Sequence, residues 1–234
     1  MNDFQTDPCG LPSTARTPLP TAAPRPPFHL RRLLPFVALV LFLRITVGIL
    51  LNYPDYFPPN FDSDFLLGRQ PYFFGSYHWA FYAHLISGPV TLILGLILIS
   101  NRFRERWPKW HRMLGRIQCL FILLVLTPSG LWMAQYVDLG PVPAAGFSVL
   151  ALLTGLSAAM GWRSAVQRRF VSHRWWMSRC FVLLCSAIVL RLVAGFASLI
   201  RYEQEWIYVS SAWTSWLIPL ALYELFQWKQ SMKG

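Results

Sequence analysis

Long apolar runs separated by short polar segments make up most of this chain, and within the runs apolar residues are continuous rather than alternating. Six runs are long enough to cross a hydrocarbon core of about 30 Å: Leu33 to Leu51, Trp79 to Ile99, Gly115 to Gln135, Ala144 to Trp162, Cys180 to Ile200 and Val209 to Phe226. Barrel strands would alternate every second residue, whereas helices keep their backbone hydrogen bonds within the segment. The pattern therefore predicts an all-α, polytopic integral membrane protein with six transmembrane helices. The first run begins after more than thirty residues, contains Arg44 and lacks a small-residue cleavage site, so it reads as a retained helix rather than a secretory signal. The thirty residues before it hold seven prolines and no helical periodicity, which predicts an extended, disordered tail. The expected organisation is a tail over 1–32, a transmembrane domain over 33–228 and a short tail over 229–234.

Composition agrees: 55% of residues are hydrophobic and 13% charged, which excludes an ordinary soluble domain. The net charge of +11 becomes informative once it is placed along the chain. Six Lys and Arg fall in residues 101–116, five in 163–179, four in the tail up to Arg32 and two in the last six residues. The other connections hold one in 52–78, none in 136–143 and one in 201–208. This asymmetry predicts that both termini and the two basic loops are cytoplasmic, in a bacterial inner membrane. It also explains the charge without nucleic acid. Cys9, Cys119, Cys180 and Cys185 form no CxxC pair, so neither a zinc site nor a disulfide framework is indicated. The aromatic, Pro- and Asp-rich segment 52–78 is expected to cap the external end of the bundle or to serve as an interfacial aromatic belt.

The two basic loops resemble each other. "RERWPKWHRMLGRIQCLFILL" and "VQRRFVSHRWWMSRCFVLLCS" each place His-Arg, then another Arg, directly before an apolar run, which suggests a helix-pair repeat. Together with "FYAHLISGPVTLILG", "WHRMLGR" and "SHRWWMSRCFVLLCSAIVLR", the chain resembles the bacterial predicted membrane proteins grouped as domain of unknown function twenty-three-oh-six, over about residues 80–196. The resemblance implies a polytopic membrane fold and no particular activity.

Two arginines fall where contact with lipid would be costly. At 1.5 Å per residue Arg44 and Arg191 lie about 10 and 13 Å below the external boundary, and His84 about 8 Å below it. Charge at such depth costs roughly 2.5–3.5 kcal/mol on insertion scales, so these residues are expected to face the bundle interior and to have partners. The carboxylates Asp62, Asp64 and Asp138 lie in external connections and Glu224 near the cytoplasmic end. A loop carboxylate, backbone carbonyls or an anionic ligand is then needed to complete an outer-half site of Arg44, His84 and Arg191. His84, Gly88, Thr91 and Gly95 share one helix face, which suits close helix packing as well as a flat ligand. Pro89 and Pro128 are expected to kink their helices.

Facing histidines in a helical bundle are the usual ligands of haem b. His111 and His173 begin successive basic elements and can ligate a haem or another metal together, with Arg112, Arg116, Arg174 and Arg179 near its propionates. Alternatively His84 serves as an axial ligand on the outer side, with Met133 as the second ligand and Arg44 and Arg191 as propionate partners. Plain membrane anchoring by Trp107, Trp110, Trp175 and Trp176 explains much of the same sequence. The first functional expectation is a haem b redox protein in the bilayer. The alternatives are a binder or carrier of a small amphiphilic anion such as a lipid, quinone or carboxylate, and an assembly subunit whose basic loops contact lipid or a partner. No P-loop, nucleophile elbow or HExxH is present.

Overall fold

The computed structural model describes residues 28–63, 65–201 and 204–232. Nearly all of the expected tail over 1–32, with Cys9, and also Asp64 lie outside the described residues, as do the side chains of residues 28–32 and 34. Residues up to Val40 form one unit and Leu41–Gly234 a second. The packing described below is that of the second unit.

The described residues are helical and contain no strand. The ten α-helices are α1 (Phe28–Leu51), α2 (Gln70–Tyr72), α3 (His78–Leu98), α4 (Asn101–Arg106), α5 (Pro108–Phe121), α6 (Thr127–Ala134), α7 (Pro141–Val166), α8 (Phe170–Leu184), α9 (Ser186–Leu199) and α10 (Glu205–Ser231). Five stretches are long and apolar enough to cross a membrane: Pro35–Asp55, Gln70–Leu98, Pro108–Ala134, Pro141–Val166 and Phe170–Leu199. The sequence predicts a sixth over Val209–Phe226, which lies in α10. That helix has 27 residues, but its Ser, Thr, Trp and Glu content leaves it outside the apolar set. It packs against α7, α8 and α9 and runs on into the expected C-terminal tail.

The bundle is built inside out relative to a soluble domain. Its exterior carries exposed Leu, Ile, Val and Phe along every long helix, while Ser87, Thr91, Gln118, Ser129, Thr154, Ser157, Ser186 and Ser215 are buried between helices. Without water, helices gain nothing by burying apolar surface against one another and instead approach closely through small and polar residues. Several buried hydroxyls are satisfied within their own helices, whereas Ser215 Oγ and Thr127 Oγ1 are buried without a partner. Thr46 donates to the Phe42 carbonyl at 2.8 Å, Thr91 to Ser87 at 2.8 Å, Thr154 to Leu150 at 2.7 Å and Ser164 to Met160 at 2.8 Å.

Glycines set the closest approaches. A Cβ at Gly95 would lie 2.8 Å from the Phe181 ring, and one at Gly155 would lie 2.9 Å from Thr127 Oγ1. The α3 stripe of small residues therefore serves packing at Gly95. Thr91, on the same stripe, is fully buried, and its carbonyl accepts a 2.8 Å hydrogen bond from Gln118 Nε2.

Two devices shape the long spans. Pro128 cannot donate to a carbonyl one turn earlier, and the chain meets this with a wide π turn over Ile122–Leu126 that leads into α6. Pro89, by contrast, sits inside a continuous α3. Between α7 and α8 the chain reverses within three residues. Arg169 N–H donates to Ser164 O at 2.9 Å and Arg168 N–H to Ala165 O at 3.0 Å, with Arg168 in the left-handed region at φ 58°. This is the Schellman stop of a helix, with arginine where glycine is usual.

The basic segments expected as loops are mostly helix. His111 and His173 each stand fourth in their helix, in α5 and α8 respectively. The reason is physical: Arg and Lys are good helix formers, so a helix continues past the apolar boundary that hydropathy detects.

Candidate functional site

The end of the bundle that carries residues 52–77 and 135–140 is closed by an aromatic cap. Tyr56, Leu66, Phe73, Tyr77 and Phe81 form its buried centre, with Tyr53, Phe61, Tyr72, Tyr82, Leu85, Met133 and Tyr136 packed around them. The segment expected as an interfacial loop thus folds onto α3 and α6. Two tyrosines pin it: Tyr82 donates to the Tyr56 carbonyl at 2.7 Å, and the Tyr53 hydroxyl donates to the carbonyl of Leu85. Met133, expected as a second haem ligand, belongs to this cap.

At the centre of the cap lies a cation that sequence reasoning passed over. Arg69 is buried and donates to Phe65 O at 2.7 Å, Tyr77 Oη at 3.1 Å, Tyr136 O at 3.4 Å and Asp138 Oδ2 at 3.1 Å. Its guanidinium also lies 4.7 Å from the Phe65 ring centroid. Burial disfavours the charge, but the surrounding phenol oxygens and the Asp138 carboxylate outweigh it, and the guanidinium pKa is raised. The one available signal was that Arg69 is the single Lys or Arg in residues 52–78.

Below the cap, the expected outer-half trio is only partly assembled. His84 packs against Gly130, where a Cβ would lie 3.3 Å from the imidazole. Its Nδ1 is 3.3 Å from Ser129 Oγ, while the Ser129 hydroxyl donates to Val125 O at 2.6 Å. The serine proton is therefore spent on the carbonyl, the imidazole is the donor, and Nε2 keeps its lone pair. Arg191 interacts electrostatically with His84 and with Tyr53 and Tyr56. Arg44 does not join them: its side chain faces outward from α1. The carboxylates go elsewhere, Asp138 to Arg69 and Glu224 to Arg179.

The opposite, basic end holds the second expected group. His173 Nδ1 lies 2.8 Å from the Gly161 carbonyl, so Nδ1 carries the proton and Nε2 is left as an acceptor. This bond crosses from α8 to α7 at a close approach, since a Cβ at Gly161 would lie 2.5 Å from Met177 Sδ. His111 interacts electrostatically with His173 and Arg104, and its Nδ1 is buried with no hydrogen-bond partner. The two histidines expected to share a ligand thus influence each other electrostatically across the basic end.

The arginines divide differently from expectation. Arg112, Arg116 and Arg174 are exposed, while half-buried Arg104 is the one that interacts with His111. Arg179 is committed to structure: its Nε donates to Glu224 Oε1, and its guanidinium lies 3.2 Å from the Trp175 ring centroid. Among the described residues no three His, Cys, Asp or Glu side chains gather as a metal site. Cys119, Cys180 and Cys185 are free thiols.

No curated protein and no solved structure matches the chain. The family described as "Predicted membrane protein (DUF2306)" matches residues 81–227, from the top of α3 well into α10, and so takes in both histidine elements and Arg191. The chain belongs to this family of predicted membrane proteins, and its several apolar helices agree with that description.

Proposed function

We propose that the chain is a haem b-binding redox protein of the bacterial inner membrane, in which His111 and His173 would hold the haem. The observation that carries this reading is the state of the two rings. His173 is fixed by its Nδ1–H on the Gly161 carbonyl, the outer-shell contact that orients a metal-ligating histidine and raises the basicity of the other nitrogen. His111 is its electrostatic neighbour and keeps a buried nitrogen without a partner, a cost that a ligand would relieve. Two neutral imidazoles are a donor set that would suit a haem used for electron transfer. When bound, haem would supply one-electron chemistry. The protein would hold its iron through the two imidazoles, and Arg104, Arg112 and Arg174 would face its propionates at the water boundary.

The same reading has α10 as a sixth span and both termini in the cytoplasm. The uneven distribution of Lys and Arg supports it, as does the packing of α10 on three neighbouring spans. The two His-Arg elements occupy the same position in α5 and α8, and each is followed by a helix irregularity, the π turn at Ile122–Leu126 or the break at Cys185. These features support an ancestral repeat.

The test is a reduced-minus-oxidised visible spectrum of the protein purified after expression with ample haem supply. A b-type difference spectrum is expected, lost in His111→Ala and in His173→Ala and kept in His84→Ala. A featureless spectrum from folded wild-type protein would overturn the proposal.

A further inference from the structure

A second cluster, at the capped end, is not used by the histidine pair. Arg191 lies in the span Phe170–Leu199, the most apolar of the five at a mean hydropathy of 2.4. One turn before it, Ile188 packs with Phe42 and Leu92, which sets the face of α9 that approaches α1 and α3. One turn from Leu92 along α3 stands Gly88, and one further turn on stands His84. At Gly88 an added Cβ would meet nothing within 4 Å. Room is therefore left beside α3, level with the guanidinium.

The cap bounds this room from above. Tyr53 is tied to Leu85 through its hydroxyl, and Tyr56 is buried with its ring 5.5 Å from that of Phe81. Both phenols lie close enough to Arg191 to interact with its charge. The ion pairs of the described residues are Arg69–Asp138 and Arg179–Glu224, and Arg191 is in neither. Its side chain is open at the perimeter of the bundle, on the side that lipid would occupy. Arg191 is thus a guanidinium in an apolar span, with phenols above it, open space beside it and, among the described residues, no carboxylate paired with it.

We infer that Arg191 binds the oxyanion headgroup, carboxylate or phosphate, of an amphiphile that enters laterally from the bilayer, with its chain lying in the space beside Gly88. The planar fork of donors on arginine matches either oxyanion in a bidentate manner. Tyr53 and Tyr56 close the approach from the aqueous side, so the ligand must already be in the membrane. The site is independent of any group held by His111 and His173.

Native mass spectrometry of the full chain in an uncharged detergent tests this, with oleate, phosphatidylglycerol and zwitterionic phosphatidylcholine titrated separately. One equivalent of oleate or phosphatidylglycerol is expected to bind, and the preferred one identifies the headgroup. Arg191→Gln should weaken that binding at least tenfold, and Arg191→Lys should fall between it and wild type. Gly88→Leu, which fills the space and leaves the charge, should weaken it as well and decides the matter if Arg191→Gln does not fold. Equal binding of phosphatidylcholine, no binding of either anionic probe, or wild-type affinity in a folded Arg191→Gln or Gly88→Leu variant would overturn the inference.

Discussion

Arg69 and Asp138 meet across the aromatic cap with Nη2 3.1 Å from Oδ2, yet 10% of the arginine side chain is exposed and 67% of the aspartate. The two halves of this pair therefore contribute unequally. Arg69→Ala removes four hydrogen bonds and leaves buried acceptors unpaired, so it should destabilise the protein by about 2–4 kcal/mol. Asp138→Asn acts at a solvated site and should cost less than about 1 kcal/mol. Thermal unfolding of both variants in detergent checks the ratio, and equal losses would contradict it.

Glu224 links α10 to α8 through Arg179. Glu224→Gln keeps the size of the side chain and an acceptor oxygen but removes the charge, leaving Arg179 a neutral hydrogen bond and its stacking on Trp175 and Trp176. A loss of roughly 1–3 kcal/mol is expected, together with earlier protease cleavage toward the C-terminal end of α10, read by mass spectrometry of the fragments. If α10 stays as resistant as in wild type, the pair is not what holds it.

Glycines at close approaches should differ sharply from glycines facing open space. Gly155→Ala pushes a methyl group against the buried side chain of Thr127 and should destabilise by about 1–3 kcal/mol. Gly115→Ala meets nothing within 4 Å and, as a mid-helix change, should stabilise by up to about 1 kcal/mol. Melting temperatures that shift in the same direction for both would refute this account of the packing.

Arg168 holds a left-handed conformation, with φ 58°, at the stop between α7 and α8. That conformation costs a side-chain-bearing residue roughly 1–2 kcal/mol. Arg168→Gly should therefore raise the unfolding temperature, and Arg168→Val should lower it.

The proposed topology predicts which sites react from each face of the membrane. With Cys9 replaced, a cysteine at Asn60 should label with an impermeant maleimide in intact cells. One at Lys109 should label only after permeabilisation. The reverse pattern would invert the orientation.

Much of this architecture was legible in the sequence because crossing a bilayer is a one-dimensional requirement: an apolar run of sufficient length reveals itself without knowledge of its neighbours. The matching placement of His111 and His173 was legible for a related reason, since each stands at the same position of a repeated element. Rotation about the helix axis was not legible. Arg44 and Arg191 lie at similar depths, but a helix apolar on every side gives no phase, and only packing turned Arg44 outward and brought Arg191 beside Tyr53. Arg69 was hidden differently, because Asp138 and Tyr136 reach it from a distant turn and no local pattern announces such a partner.

The π turn at Ile122–Leu126 has a consequence for the span that contains it. One extra residue in a helix rotates everything beyond it by about 100° relative to a regular continuation. The half bearing His111 and Gln118 and the half bearing Ser129 and Gly130 are thereby aimed independently, one toward the basic end and the other toward His84. The span behaves as two short helices joined by a fixed angular offset, so deleting a single residue there would turn Ser129 and Gly130 away from α3 while leaving the histidine end as it is.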